Sequence, residues 1–348
     1  MDIINNIFIV IGQIISVVLG FFLPKSIVQP IMAILSISLF LGFATVTVMM
    51  QLVAERKVLG YIQDRPGPNR VGPGGLLQSL ADTIKLLTKE DIIPVAADKW
   101  VFRLAPIVVV AAAIMAYAVM PFGRGMIIAD LNIGILYVIS ISSLATIGIL
   151  MAGWASNNKY ALLGSMRAVA QMVSYEIPLV LSFIGVIMLT GSLQMSAIVN
   201  GQSGLWFIIW QPLGFIVYFI AAIAEINRCP FDLVEADSEI IAGYMTEYSG
   251  MRWAIFMLAE YINALAMSAI TTTLFLGGWQ GPILPPYIWF VIKVWVVFFV
   301  LLWIRGTLPR LRVDQLMGFA WKVLIPLALI NIFLTGAVLQ PLYQSLVK

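Results

Sequence analysis

The sequence predicts an all-α fold, a polytopic bundle of transmembrane helices, and three observations support this prediction. Of the 348 residues, 61% are hydrophobic and only 11% are charged. The mean hydropathy of +1.00 is typical of integral membrane proteins. The apolar residues also form runs of about 20, which is long enough to cross a hydrocarbon core of roughly 30 Å as helices. Strands would leave open edges in lipid, so we expect helices.

Nine apolar segments are candidate spans. The first is shorter than the others: residues 7–23 would form a helix of only about 25 Å, so residues 1–30 are predicted to be an extra span or an interfacial helix. This segment lacks the basic region and cleavage site of a signal peptide, and we expect it to be retained. With no internal repeat, residues 1–348 are predicted to form one membrane domain. The nine segments lie near residues 4–23, 31–53, 104–122, 133–153, 168–190, 206–226, 253–277, 287–305 and 323–342.

The distribution of basic residues predicts the orientation. Apart from Lys25, Arg124, Lys348 and the intramembrane Lys293, all of the 20 basic residues follow spans two, four, six and eight. By the positive-inside rule, the loops after these spans are cytoplasmic. They include the long segment 54–103 and the acidic loop 227–252, which we therefore expect on one face.

Composition also excludes several function classes. The chain has no histidine, and Cys229 is its only cysteine. Iron–sulfur, zinc, copper and haem sites usually need thiolate or imidazole ligands, so we expect this chain to bind none of these metals. We also expect no flavin, and electrons must come from a partner. A net charge of +3 without basic runs excludes nucleic acid as a partner.

Acidic residues are concentrated between spans six and seven. At about 6 Å and an effective dielectric constant near 20, two carboxylates repel by roughly 3 kcal/mol, enough to move a pKa by about two. Such a cluster is expected to titrate as a coupled set near neutral pH, which is typical of a proton-handling site. The acidic residues are Glu225, Asp232, Glu235, Asp237, Glu239 and Glu247.

Three carboxylates fall within predicted spans: Glu176, Glu225 and Glu260. The first and last should lie about 10 to 13 Å deep, with Glu225 shallower, all in the cytoplasmic half. Any one of them could simply pair with a cation to hold helices together. Three at matched depth beside an acidic loop favour a water-filled proton path. Lys293 in span eight is predicted to be a counter-ion of Glu260 or Glu176, with snorkelling to the interface as the alternative.

Segment 54–91 combines charged residues with a Gly- and Pro-rich connector and an amphipathic helix near residues 76–89. Apolar residues at helical spacing predict that this helix lies on the membrane surface. It is either a plain interfacial anchor or the roof of a cavity that opens toward lipid. In the second interpretation, Arg56, Arg65 and Asp82 would supply polar contacts to a head group.

A second basic cluster follows span eight and contains Arg305, Arg310, Arg312 and Asp314. These residues could reflect the topology rule alone. They could equally form a docking surface for a soluble partner.

Most of these residues lie within four long motifs: ERKVLGYIQDRPGPNRVGPGGLLQSLADTIKLLTKED from Glu55, SYEIP from Ser174, AEINRCPFDLVEADSEIIAGYMTEYSG from Ala224, and LPRLRVDQLMGFAWK from Leu308. From about residue 31 onward, the chain resembles a membrane protein family of respiratory complex I. In bacteria this family is the H subunit of NADH-quinone oxidoreductase, and in mitochondria it is NADH dehydrogenase subunit 1.

The resemblance implies a subunit of a proton-pumping NADH:quinone oxidoreductase in a bacterial plasma membrane, without a redox centre of its own. Quinone, the substrate, would enter from the bilayer and meet an iron–sulfur cluster of a soluble partner at the cytoplasmic face. Small and antiporter-like membrane subunits would be further partners. The resemblance assigns Glu55, Arg56, Arg65 and Asp82 to the quinone passage. It assigns the charged route to the pumping subunits to Glu176, Glu225, Glu235, Asp237, Glu239, Glu247 and Glu260.

Two features depart from the family pattern. Many relatives have Gly-Glu where this chain has Ala236-Asp237, which keeps the charge but shortens its reach. The first span precedes the shared region. Three other functions stay open: the homologous membrane anchor of a hydrogenase or ferredoxin-dependent complex, a purely structural anchor, and a self-sufficient transporter. The transporter is disfavoured because no inverted repeat is visible.

Overall fold

The structure is a computed structural model that describes residues 7–22, 24–232 and 242–347. These residues form helices joined by loops and contain no β-strand, apart from one isolated bridge between Gly123 and Met126. The predicted all-α membrane bundle is confirmed.

In the described residues, eleven α-helices, α1 to α11, precede a long C-terminal rod. The rod consists of three helices joined end to end by π-helical turns at Ala320–Leu324 and Thr335–Leu339: α12 (Val313–Phe319), α13 (Ile325–Leu334) and α14 (Gln340–Val347). The preceding helices are α1 (Ile7–Phe22), α2 (Lys25–Ile62), α3 (Gln78–Thr88), α4 (Lys99–Met115), α5 (Gly134–Ala155), α6 (Lys159–Thr190), α7 (Met195–Gly201), α8 (Phe207–Trp210), α9 (Pro212–Glu225), α10 (Gly250–Phe275) and α11 (Pro286–Thr307).

Each of the nine predicted segments contains an apolar helix. In the described part of the chain, seven helices are long and apolar enough to cross a membrane. Two shorter apolar helices, Val10–Phe21 and Pro212–Glu225, correspond to the first and sixth predicted spans.

Several helices extend beyond the predicted boundaries. α2 continues to Ile62, and α6 begins at Lys159 where residue 168 was predicted. Hydropathy marks only the apolar part, whereas a helix continues until its backbone hydrogen bonding is interrupted. At α6 the boundary is Asn158, whose side chain accepts a hydrogen bond from the Tyr160 amide at 2.9 Å. After α2, Asp64 has a left-handed backbone with φ of 51°.

The predicted span 206–226 is not one continuous helix, and this prediction was wrong. It breaks at Gln211, where φ is −132° and ψ is 61°, into α8 and α9. The cause is Pro212, the first residue of α9. Proline has no backbone N–H to donate, and it disfavours helical geometry in the residue before it.

The core of the bundle is formed by α4, α5, α6, α9 and α10. α4 packs against α5 and α10, and α6 packs against α5, α9 and α13. In the most apolar window of each helix, 61% of α10 is buried but only 11% of α2. α10 is therefore central, whereas α2 is peripheral and contacts α10 and α11 along one side.

The loops that carry most of the basic residues meet at one end of the bundle, here called the basic face. Asn157 Nδ2 donates to the Ala96 carbonyl at 3.2 Å, and the Leu311 amide donates to the Pro230 carbonyl at 3.0 Å. These contacts join loops that follow different spans. Segments 54–103 and 227–252 also meet there, since the Ile92 amide donates to the Ser249 hydroxyl at 3.1 Å. The assignment of this face to the cytoplasm stays a prediction.

The predicted surface helix is present as α3. Its apolar residues Leu80, Ile84 and Leu87 are 46%, 54% and 61% exposed, whereas Ser79 is buried against the bundle. The apolar side of α3 therefore points away from the protein. This orientation suits a helix that lies at a membrane interface.

Candidate functional site

Glu55 is the centre of a buried chain of ion pairs near the basic face. This glutamate, on α2, is only 5% exposed. Arg305, from the end of α11, donates to Oε1 of Glu55. Nη1 of Arg228 lies 3.3 and 3.4 Å from the two carboxylate oxygens of Glu55. Nε of the same arginine lies 2.8 Å from Oε1 of Glu260 on α10. The charges alternate in the order Arg305, Glu55, Arg228, Glu260, and we name these four residues the Glu55 cluster.

Arg228 connects two carboxylates that belong to different helices. Its guanidinium also lies 4.4 Å from the centre of the Tyr261 ring, within the range of a cation–π contact. Burial alone would lower the pKa of Arg228, but Glu260 and Glu55 hold this pKa above its ordinary value. The guanidinium therefore stays charged, and each buried carboxylate has a compensating cation.

The local sequence explains how Arg228 reaches this position. α9 ends at Glu225, and Asn227 adopts a left-handed backbone with φ of 56°. Asparagine tolerates this conformation better than most residues and often ends helices. The resulting reversal keeps Arg228 beneath the bundle, where only 13% of its side chain is exposed.

A small cavity of about 20 Å³ lies against the Glu55 cluster. Its polar lining comes from Glu55, Arg228 and Arg305, and apolar residues such as Phe298 and Leu302 complete it. Roughly 10–15 Å³ is needed to hold one water molecule, so this cavity has room for one.

A second pair of carboxylates, Glu176 and Glu225, lies beside a larger cavity. Glu176 accepts hydrogen bonds from Ser143 at 2.6 Å and Ser142 at 3.4 Å. Glu225 is 7% exposed, and its Oε2 has no hydrogen-bond partner among the residues that the structure describes. The cavity is about 40 Å³ and is lined by Glu225, Ser142 and Asn263. Since Ser142 contacts both Glu176 and the cavity, water there would connect the two carboxylates.

The two groups of charges are neighbours. Glu260 and Asn263 are one helical turn apart on α10, and Ile226 lines both cavities. The structure therefore brings Glu55, Glu260, Glu225 and Glu176 into one region. Glu176, Glu225 and Glu260 are the three intramembrane acids expected from the sequence to act together, whereas Glu55 was assigned to the quinone passage.

A separate ion pair joins the surface helix to the bundle. Arg56 Nη1 on α2 lies 2.5 Å from Oδ2 of Asp82 on α3. Gln78 donates to Asp82 at 3.2 Å, and Lys85 lies 3.8 Å away. Partial burial acts to raise the pKa of Asp82, but the interactions with Arg56 and Gln78 outweigh it and lower this pKa below its ordinary value. Arg65 is exposed in the following loop, and within the described residues its side chain makes no hydrogen bond or ion pair, so it does not join Arg56 and Asp82.

The acidic loop is described only at its two ends. Asp232 lies near Cys229, and burial together with the Asp232 charge raises the pKa of that thiol. Glu247 accepts a hydrogen bond from Asn158 at 2.6 Å, which ties the loop to the start of α6. Glu235, Asp237 and Glu239 lie outside the described residues, and their place in the proton path stays a prediction.

Lys293 does not pair with Glu260 or Glu176, so that prediction was wrong. Its ammonium donates to the carbonyls of Leu276, Gly278 and Gln280 at 2.6, 3.1 and 2.6 Å, and it faces the Trp206 ring at 4.5 Å. The carbonyls at the end of α10 lack helical partners, and a buried cation satisfies them. Glu260 lies roughly 24 Å away along α10, toward the basic face.

The predicted docking residues separate into two groups. Arg305 turns inward to Glu55, where it is part of the ion-pair chain and not of a free surface. Arg310 is half-buried, whereas Arg312 and Asp314 are exposed at the start of α12. Of the four predicted docking residues, Arg312 and Asp314 are therefore the two whose charges are exposed on the basic face.

Sequence reasoning missed three contributors. Arg228 was counted only as a topological charge, although it is the only basic residue in the motif from Ala224 to Gly250. Ser142 and Ser143, adjacent hydroxyls inside an apolar span, were not connected with Glu176. A concentration of hydroxyl residues within one apolar run, here Ser140, Ser142, Ser143 and Thr146, is the signal that could have identified them.

No group of three histidine, cysteine or acidic residues suitable for a metal ion occurs in the part of the chain that the structure describes. The site consists of carboxylates, guanidinium groups, hydroxyls and water-sized cavities. Such groups can compensate one another's charge, and the carboxylates can bind and release protons.

Comparisons with known proteins agree with the motifs. The sequence profile of the family described as NADH dehydrogenase matches residues 34–336. The H subunit of NADH-quinone oxidoreductase from Dehalococcoides mccartyi is 59% identical over 295 residues, which cover 85% of this chain and 83% of the relative. An H subunit from Geobacter sulfurreducens, numbered 2 in that organism, is 54% identical over 308 residues, covering 86% and 94%. The H subunit from a Geobacillus species is 57% identical over 297 residues, covering 84% and 89%. A multi-pass helical membrane protein with this degree of identity belongs to the NADH dehydrogenase family, among the relatives named as the H subunit of NADH-quinone oxidoreductase.

Proposed function

We propose that this chain is the membrane subunit of a proton-pumping NADH-quinone oxidoreductase. In this proposal it forms the quinone chamber with an iron–sulfur partner subunit at the cytoplasmic face, and it couples quinone reduction to proton translocation. The observation that carries the proposal is the continuity of the charged groups. The chain Arg305, Glu55, Arg228, Glu260 ends one helical turn from the cavity shared by Glu225 and Ser142.

The sizes of the cavities support a head-group site at the surface of this chain. The cavities at Glu55 and Glu225, about 20 and 40 Å³, have room for water but not for a quinone ring. A head group would therefore bind between the basic face and the partner subunit. The exposed apolar side of α3 and its ion pair with α2 suit an entrance from the lipid at this edge.

Quinone reduction can be coupled to proton movement if the negative charge on the reduced head group competes with Glu55 and Glu260 for Arg305 and Arg228. Reduction of a quinone to a quinol takes two electrons, here from the partner's iron–sulfur cluster, and two protons. Negative charge that develops near the Glu55 cluster attracts Arg305 and Arg228 away from their carboxylates. At about 6 Å and an effective dielectric constant near 20, one unit charge changes the energy of another by roughly 3 kcal/mol.

The response would pass from Glu260 to the Glu225 cavity. Arg228 holds Glu260 at 2.8 Å, so any displacement of this guanidinium changes the electric field at the neighbouring carboxylates. Glu225 and Glu176 are near enough for their charges to interact. Water in the cavity, with Ser142, supplies the hydrogen bonds along which a proton can move.

The orientation and the partners follow from the same proposal. The positive-inside rule assigns the basic face to the cytoplasm of a bacterial cell. Arg312 and Asp314 would contact the soluble partner there, and small and antiporter-like membrane subunits would continue the path beyond Glu176.

The test is the substitution E225Q in the intact complex. Quinone reduction with NADH and proton uptake into proteoliposomes are measured on the same preparation. We expect native assembly but at least a tenfold loss of proton-coupled activity, the scale of about 1.4 kcal/mol. E235Q tests the acidic loop in the same assay.

The matched control is D130N, because Asp130 bonds Gln194 and Ser196 in a loop that does not belong to the basic face. This control should behave as wild type. Full proton pumping by E225Q would contradict the proton path. Activity with hydrogen or reduced ferredoxin but not with NADH would instead favour the related anchor subunit of those complexes.

A further inference from the structure

One side of α2 carries a buried polar stripe within an otherwise lipid-exposed helix. Thr47, Gln51 and Glu55 are spaced four residues apart, so they lie on the same side of the helix. Their exposed fractions are 6%, 0% and 5%. Val46 and Met50 on the other side are 51% and 59% exposed. The stripe therefore faces the bundle, where α2 contacts α10 and α11.

Gln51 is the member of the stripe whose side-chain amide lacks hydrogen-bond partners among the described residues. Thr47 donates to the Phe43 carbonyl at 2.7 Å, and Glu55 is paired with two arginines. Among the described residues, neither Nε2 nor Oε1 of Gln51 has a partner. Buried side-chain amides in folded proteins are nearly always hydrogen-bonded, to protein or to ordered water. Two unpaired atoms on one fully buried amide therefore point to a ligand.

Two small cavities lie along the same side of the helix. The cavity at the Glu55 cluster lies one turn toward the basic face from Gln51. Another cavity of about 20 Å³, lined by Thr47, Tyr117 and Phe290, lies one turn in the opposite direction. Each turn spans about 5.4 Å, so Gln51 lies on the same side of α2 about 5 Å from the residue that lines each cavity.

We propose that Gln51 binds ordered water between these cavities and that this water links its amide to the carboxylate of Glu55. Each cavity has room for one water molecule but not for a quinone ring. Gln51 is a positioning residue in this proposal, because it acts through Glu55. The water site stands on the geometry alone, whereas its effect on activity rests on the proposed function.

The bound water would steady the carboxylate in its pairing with two arginines. Glu55 accepts from Arg228 and Arg305 at its basic-face side, and the stripe approaches it from within the membrane. A water molecule held by Gln51 would add a donor on that inner side. It would thereby influence how readily Glu55 releases its arginines.

The direct experiment is a cryo-EM map of the intact, unsubstituted complex at a resolution that shows buried water. We expect density within hydrogen-bond distance of the Gln51 amide and on the side of Glu55. An amide bonded directly to a protein group, or packed dry against apolar side chains, would overturn the proposal. Density in the Glu225 cavity is judged separately, since it bears on the proton path and not on this site.

The functional experiment compares Q51L with Q29L in the same complex. Gln29 lies on the same helix but is exposed, so its replacement removes an amide without affecting the stripe. A hydrogen bond corresponds to a roughly two- to tenfold change in an equilibrium. We expect Q51L to lower NADH-driven quinone reduction by about this factor and to shift its pH profile, and Q29L to match wild type.

An unchanged rate and pH profile in Q51L would refute the role assigned to Gln51, even if E225Q abolishes pumping. Conversely, if E225Q pumps protons like the wild type and the map shows water on Gln51, the proton path is refuted and the water site stands. The map and the variants therefore distinguish failure of the inference from failure of the proposed function.

Discussion

Replacing Arg228 by methionine should destabilise the protein more than any replacement of an exposed arginine. At 2.8 Å and an effective dielectric constant near 20, the attraction between Arg228 and Glu260 is roughly 6 kcal/mol, part of which is cancelled by desolvation. Arg305 would still compensate Glu55, but Glu260 would lose the cation that the structure shows beside it. Removing one partner of a buried ion pair typically costs about 3–5 kcal/mol.

The matched comparison is R56M. Arg56 also bonds a carboxylate, at 2.5 Å from Asp82, but its side chain is 45% exposed. Such surface pairs contribute only about 0.2–1 kcal/mol. The half-life of the purified complex at a fixed elevated temperature measures both variants, with assembly checked by native electrophoresis. We expect R228M to shorten the half-life by more than tenfold and R56M by less than fivefold.

A double variant tests the physical reason. If the cost comes from an uncompensated Glu260, then R228M/E260Q should recover much of the stability that R228M loses. Equal half-lives for R228M and R56M would refute the claim that the Glu55 cluster is a buried charge chain. No recovery in the double variant would mean that packing of the arginine, and not its charge, is what matters.

Two other predictions follow from contacts outside the Glu55 cluster. K293M should reduce thermal stability, because it leaves three carbonyls near the end of α10 without their donor. The pH profile of quinone reduction should stay that of wild type. A shifted profile would mean that Lys293 belongs to the proton path after all. G164A should cost about 1–3 kcal/mol of stability, because the added Cβ would lie 2.6 Å from Cα of Gly243. Unaltered stability would contradict the close packing of α6 against the segment that contains Gly243. G318A, with no atom within 4 Å of the added Cβ, is its control and should be neutral or slightly stabilising.

The positions of the helices could be predicted from the sequence because hydropathy and helix propensity act locally. All nine apolar segments, the surface helix and the common face of the basic loops were read from runs of residues and from charge counts. The break at Gln211 was also encoded locally, by Pro212, but the hydropathy profile masked it because both halves are apolar. The depth of Glu176, Glu225 and Glu260 in the membrane was derived in the same way, from their distance to the span ends, and stays a prediction.

The partners of the charged residues were decided only by the tertiary structure. Arg228 and Glu55 are 173 residues apart, and nothing near either residue in the chain indicates the other. Lys293 was matched to the wrong partners because its position in the middle of a span does not reveal the direction of its side chain. The sequence does not say whether the ammonium points toward the basic face, where Glu260 lies, or toward the opposite end of the bundle. A helix in lipid can rotate about its axis and shift along it without changing its hydropathy, so side-chain contacts are set by how neighbouring helices pack.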